Sequence, residues 1–113
     1  MKEGQKKDPT ILLKHILESI EFIESYTKEL SKKQFLSSAQ AQDAVIRRLE
    51  IVGEAVKNIP DDFKKSYPKV LWRKIAGMRD VLIHEYFAVD MELVWRAASK
   101  DAIELKKHIK KLL

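Results

Sequence analysis

Residues 8–30 read DPTILLKHILESIEFIESYTKEL, and their spacing decides the fold class. Leu12, Ile16, Ile20, Ile23, Tyr26 and Leu30 recur at steps of three and four, which lays them along one face of a helix. Asp8 can cap such a helix, and Pro9 suits its first position, where no backbone N–H is needed. Ser31-Lys32-Lys33 is read as its end.

Working outward, the same period returns in Ala41, Val45, Leu49, Val52, Val56 and Ile59. Ser37 with Gln40 has the form of a capping box ahead of this second helix. Pro60-Asp61-Asp62 breaks it, and Phe63 to Tyr67 has room for one short helical turn. Pro68 is read as opening a third stretch through Leu71, Ile75, Met78 and Leu82, with its end between Ile83 and Val89. Asp90 followed by Glu92 reads as the cap of a last helix, whose inner face is Val94, Ala98, Ala102, Leu105, Ile109 and Leu112. The expected fold is all-α, an antiparallel bundle of four to five helices over residues 8–113 as one domain, with residues 1–7 frayed.

Composition agrees. With 113 residues, 45% of them hydrophobic and 35% charged, the chain suits one globular domain. The absence of cysteine excludes disulfides, thiol catalysis and thiolate metal sites. Three glycines and three prolines are too few for the turns of a barrel or for a glycine-rich phosphate loop. The net charge of +5 is concentrated at the ends. Residues 1–8 hold three lysines against two acids, and residues 100–113 hold five against two, so the middle carries 14 basic and 13 acidic groups. Lys106, Lys107, Lys110 and Lys111 suit the C-terminal end of a helix dipole, and a nucleic-acid contact is the other reading. Neither a signal-peptide pattern nor a membrane-length apolar run is present, so a cytoplasmic protein is expected.

The stretch from Val70 to Ile83 carries more than one apolar stripe. At about 100° per residue, Leu71, Ile75, Met78 and Leu82 fall within about 60° of one another, and Trp72, Ala76 and Ile83 lie about 100° further round. The second stripe is either a subunit interface or a flank covered by the chain itself. Arg79 edges it on one border, and Asp80 and His84 on the other. Asp80 and His84 are four apart, so the carboxylate can reach the imidazole. Arg79 and His84 are about 140° apart on an ideal helix, and meeting requires a helix end near His84 or a second chain. An imidazole can move protons near neutral pH, and a guanidinium can hold a phosphate, so the pair could cleave RNA without a metal.

The run Arg79-Asp80-Val81-Leu82-Ile83-His84-Glu85-Tyr86 resembles the Arg-x-x-x-x-His-x-Tyr signature of the HepT-like family, within the HEPN class of helical ribonucleases. Trp72 to Met78 before it, Val89-Asp90 and Val94-Trp95 after it, and Asp43 to Ala55 are similar to further blocks of that family. The resemblance implies an all-α homodimer of HEPN type with a metal-independent RNA-cleaving site at its interface and no cofactor. Arg79 would bind phosphate, His84 would act as acid and base, and Asp80 would orient. It also implies the toxin half of a toxin–antitoxin pair, silenced by a nucleotidyltransferase antitoxin that adds AMP to Tyr86. The alternative is a non-catalytic nucleotide- or partner-binding module associated with such a nucleotidyltransferase.

Other residues have plainer readings. Glu50 and Glu54, one helical turn apart, contribute to the cleft or form ion pairs with Arg47, Arg48 or a neighbouring helix. His15 and His108 are expected in solvent, and Trp72 and Trp95 in the core or an interface.

Overall fold

The computed structural model describes residues 8–84 and 89–113. Its helices are α1 (Pro9–Thr27), α2 (Lys32–Leu36), α3 (Ala39–Asn58), α4 (Asp61–Ser66), α5 (Trp72–His84), α6 (Met91–Arg96) and α7 (Ala102–Leu112), the last two joined by a π turn at Ala97–Asp101. Four long rods result, with α2 and α4 as short connectors, so the expected helical bundle is what forms. Among the described residues there is no strand, and no helix is long and apolar enough to cross a membrane.

The order of burial gives the direction of each rod. One apolar cluster joins the start of α1 (Leu12, Ile16) to the end of α3 (Val56, Ile59), Trp72 at the start of α5, and Leu105 and Ile109 of α7. A second joins the end of α1 (Ile23) to Phe35 of α2, Val45 of α3, Leu82 near the end of α5, and Val94. Successive long helices therefore run antiparallel, with α3 between α1 and α5 and α7 against α1. Each fully buried Leu, Ile or Phe contributes about 1.5–3 kcal/mol to holding these layers together.

The caps differ from the sequence reading in one place. Asp8 caps α1 as expected, its carboxylate accepting from the Thr10 N–H at 2.8 Å. However, α1 stops at Thr27, and Ser31 begins a helix instead of closing one. The capping box is Ser31 with Gln34: the Ser31 hydroxyl accepts from the Gln34 N–H, and the Gln34 side chain accepts from the Ser31 N–H. Ser37 is instead bonded back to the Lys33 carbonyl, and Ser38 caps α3. The extra helix is short, but it carries Phe35, which is fully buried beside Trp95.

Pro68 also has a different role. It sits in a turn closed by the Val70 N–H on the Tyr67 carbonyl, which accepts the Trp72 indole N–H as well. Helix α5 begins only at Trp72, and Leu71, expected on the core face, is 60% exposed. Trp72 is buried and Ala76 packs on the first cluster, so the chain itself covers most of the second stripe; Ile83 stays exposed.

In the last rod, Asp90 caps α6 as expected, but the helix is not uniform. The Ala102 N–H donates to the Ala97 carbonyl five residues back, a wide turn. Val94, Ala98 and Ala102 are each four apart, a spacing that drifts about 40° per step on a regular helix. The wide turn absorbs that drift, and Val94, Ala97, Ala98 and Ala102 are all buried.

Of the four C-terminal lysines, Lys106 is tied down: its ammonium donates to Glu24 of α1 at 2.6 Å. That bond holds its pKa above the ordinary lysine value, against a small loss of hydration. The stabilisation is therefore complete below the ordinary lysine pKa and is lost as pH rises through the raised folded value. Lys106→Met should lower the urea midpoint by the equivalent of about 0.2–1 kcal/mol at pH 8. The gap between mutant and wild type should close in strongly alkaline buffer; a gap unchanged there would show that packing, not the charge, is responsible.

Candidate active site at the crossing of α3 and α5

The helices α3 and α5 meet at Gly53 and Arg79. A Cβ on Gly53 would overlap the Cβ of Arg79 and come within 3.1 Å of its Cγ, so glycine is what lets the helices approach. Gly77, two residues before Arg79 on α5, is the opposite case. It is exposed, and among the described residues nothing lies within 4 Å of where its Cβ would be. A mid-helix glycine costs about 0.8–1 kcal/mol relative to alanine, and here no contact among the described residues requires it.

The close approach fixes the Arg79 head. Its Nε donates to Glu54 Oε1 at 3.0 Å, and its Nη1 donates to Asp80 Oδ1 at 3.2 Å. Lys57 of α3 also lies 3.9 Å from the Asp80 carboxylate. Four charged side chains from two helices thus form one network, in which Glu54 and Asp80 hold the guanidinium fork from two sides. Arg79 is only 21% exposed, so its charge is partly screened from water, while Asp80 and Glu54 are half-exposed.

This arrangement changes the relation of Arg79 to His84. The backbone positions are about 140° apart, but the guanidinium is drawn round to Asp80, which precedes His84 by one turn and about 40°. His84 is exposed on that flank. Arg79 and Asp80, read from the sequence as lying on opposite borders of the second stripe, are brought together by that hydrogen bond, and His84 follows Asp80 by one turn. Asp80 does not pair with Arg73 or Lys74, and no hydrogen bond joins it to His84 among the described residues; its partners are Arg79 and Lys57. Tyr86 lies outside the described residues, as do residues 1–7.

Glu54 is the residue that sequence reasoning only half located. Its spacing to Glu50 singled it out, and of the partners that reading allowed it is the neighbouring helix that supplies one, Arg79 of α5. Glu50 faces Arg47 instead, at 3.8 Å, and Arg48 lies 4.0 Å over the Phe22 ring. On another flank of α5, Ile75 and Met78, with Leu71 just ahead of the helix, line an open apolar groove of about 270 Å³ against Leu105. His108 borders this groove and is half-buried, whereas His15 is in solvent as expected.

A helical bundle with an arginine–acid–histidine flank on one rod defines a class of small all-α proteins, and the comparisons narrow it. Residues 16–112 match the ribonuclease HepT-like family, and this chain belongs to that family. It is similar to the probable ribonuclease HepT of Thermococcus cleftensis, at 49% identity over 88% of this chain and 91% of that protein. It is 44% identical to a putative RNase of Caldanaerobacter subterraneus subsp. tengcongensis, over 95% and 96% of the two chains. It is 50% identical to a Methanocaldococcus jannaschii protein named gamma-glutamylcyclotransferase and putative RNase, over 96% of this chain and 49% of that one. The chain therefore spans about half the length of this last relative. No solved structure gives a significant match.

Proposed function

We propose that this chain is a metal-independent RNA endonuclease that acts as a homodimer and serves as the toxin of a toxin–antitoxin pair in the cytoplasm. The observation that carries the reading is the Arg79 head, braced by Glu54 and turned by Asp80 toward the flank of His84. Membership in a ribonuclease family supplies the substrate class.

The chemistry follows from the side chains. His84 takes the proton from an RNA 2′-hydroxyl, and that oxygen attacks the adjacent phosphorus. The bond to the 5′-oxygen breaks, and the leaving oxygen takes a proton from an imidazolium, leaving a 2′,3′-cyclic phosphate and a 5′-hydroxyl. Arg79 donates to the non-bridging oxygens as negative charge builds on them. Asp80 and Glu54 keep the fork oriented through two of its N–H groups and leave its other terminal nitrogen for phosphate. A nucleotidyltransferase antitoxin would silence the site by adding AMP to Tyr86, two residues from His84. The appended phosphate would compete for Arg79, and its bulk would fill the cleft.

The test is cleavage of total RNA in EDTA by wild type and His84→Ala side by side. Removing a general acid–base group costs about 10²–10⁴-fold in rate, so only the wild type should cut visibly. Equal cutting by both would move the chemistry elsewhere. No cutting by folded protein that is unmodified at Tyr86 would favour the alternative, a non-catalytic module bound by the nucleotidyltransferase.

A further inference from the structure

The near-neutral middle of the chain conceals a segregation of charge. From Phe63 to Arg79 every charged residue is a cation: Lys64, Lys65, Lys69, Arg73, Lys74 and Arg79. The run covers most of α4, the turn at Pro68, and α5 as far as the candidate site. Arg79 is held by Glu54 and Asp80. Lys65, Lys69, Arg73 and Lys74 are exposed, and none makes an ion pair among the described residues. The acids just before the run, Asp61 and Asp62, sit in the first turn of α4, where they offset the helix dipole.

An aromatic surface lies among these charges. Tyr67 is 39% exposed, and the Phe63 ring backs its own, with 4.9 Å between centroids. The Tyr67 carbonyl accepts both the Val70 N–H and the Trp72 indole N–H, so the turn that carries the ring is fixed. A supported ring beside unpaired cations suits single-stranded nucleic acid: the ring stacks a base, and the cations follow the backbone. An acidic protein segment would use the charges and leave the ring idle. Arg73 links this corner to the site. It precedes Asp80 by seven residues, so it lies about 10 Å nearer the corner and only about 20° round the axis. Lys69 stands in the turn just ahead of it.

We propose that the α4–α5 corner is a second RNA-binding site, which holds the single strand beyond the bond that is cut. Tyr67 stacks an unpaired base, and Arg73 and Lys69 take the phosphates between that base and Arg79. This rests on the ribonuclease reading and deepens it by naming where the uncut strand lies. Selection follows from the ring. A strand that is single at the corner offers Tyr67 an open base face, whereas one paired there keeps its bases stacked on each other.

The experiment is fluorescence anisotropy of a labelled single-stranded RNA dodecamer, with the whole chain carrying His84→Ala so that the strand stays intact. Tyr67→Ala should raise the dissociation constant about fivefold or more, and Tyr67→Phe should not, because stacking needs the ring and not the hydroxyl. Lys69→Gln combined with Arg73→Gln should lower the slope of log affinity against log salt by about 1.4, the equivalent of two single-strand phosphate contacts. The same RNA annealed to its complement should bind without regard to Tyr67. If Tyr67→Ala and the double variant bind as tightly and with the same salt slope as the parent, the corner is overturned. Displacement of the RNA by polyglutamate of equal charge would also overturn it, and would make the surface a contact for an acidic protein. The two readings fail separately. A wild type that cuts RNA while the corner variants bind normally overturns the corner alone. A wild type that never cuts, yet binds through Tyr67, overturns the nuclease reading and upholds the corner as an RNA site.

Discussion

Arg79→Lys should lower RNA cleavage by about 10²–10³-fold, the loss seen when one preorganised donor to a developing oxyanion is removed. The charge is kept, so the loss would report geometry. Arginine reaches Glu54 through Nε and Asp80 through Nη1 at once, and still has a terminal nitrogen for phosphate. A lysine ammonium is a single point at the end of a flexible stem, and at this site it would settle between two carboxylates. Because the Glu54 and Asp80 carboxylates are half-exposed, losing the bidentate pairing should change stability by no more than about 1 kcal/mol. Initial rates on a fluorogenic RNA, beside urea midpoints, separate the two effects. A lysine variant with the wild-type rate would remove Arg79 from the phosphate-binding role.

Gly53→Val, at a buried position, should be the most destabilising change in the site region. The new side chain overlaps the first two carbons of Arg79, which are anchored to the α5 backbone and cannot swing aside. The helices α3 and α5 must separate, and the layer formed by Val52, Val56 and Trp72 opens with them. Overpacking of this kind costs about 1–3 kcal/mol, only partly offset by the better helix propensity of the larger residue. The melting temperature should fall on the order of 10 °C. Cleavage should fall further than stability, since the Arg79 head moves with its helix. Thermal melts of Gly53→Val beside Gly77→Ala check the contrast, because the second glycine has open space around it and its replacement should not lower the melt. Equal falls at the two positions would mean that the α3–α5 approach is looser than described.

Much of the fold was legible because local signals and burial agreed. The stripes on α1 and α3 and the Asp8 and Asp90 caps needed only spacing and a side-chain oxygen in the right place. The errors came where two similar signals competed. Ser31 and Ser37 both precede a glutamine by three residues, and only the burial of Phe35, a tertiary fact, makes the first of them a helix start. Leu71 fits the apolar period of α5 but sits before the helix begins, because Tyr67 and Pro68 first close a turn.

The candidate site was legible as residue types and less so as geometry. Spacing along one helix separated Arg79 from His84 by 140°, and nothing in that helix says that the guanidinium would be drawn back across Asp80. The cause lies on α3, where a glycine admits the arginine and the next residue binds it. A lone Gly-Glu step 26 residues away from the motif gives no sign of that pairing until the two helices are laid together.

The wide turn at Ala97–Asp101 has a consequence for how this rod can vary in length. In a regular helix, losing one residue swings everything beyond it by about 100° and turns an apolar face to water. Here the rod carries one residue more than regular winding needs, and Ser99 and Lys100, at its outer edge, are exposed. Descendants of this sequence could shed one of them, rewind the segment as ordinary α-helix, and leave Val94 and Leu105 facing the same interior. An insertion frozen into the last helix is thus also the one place in a long rod where the chain's length is negotiable.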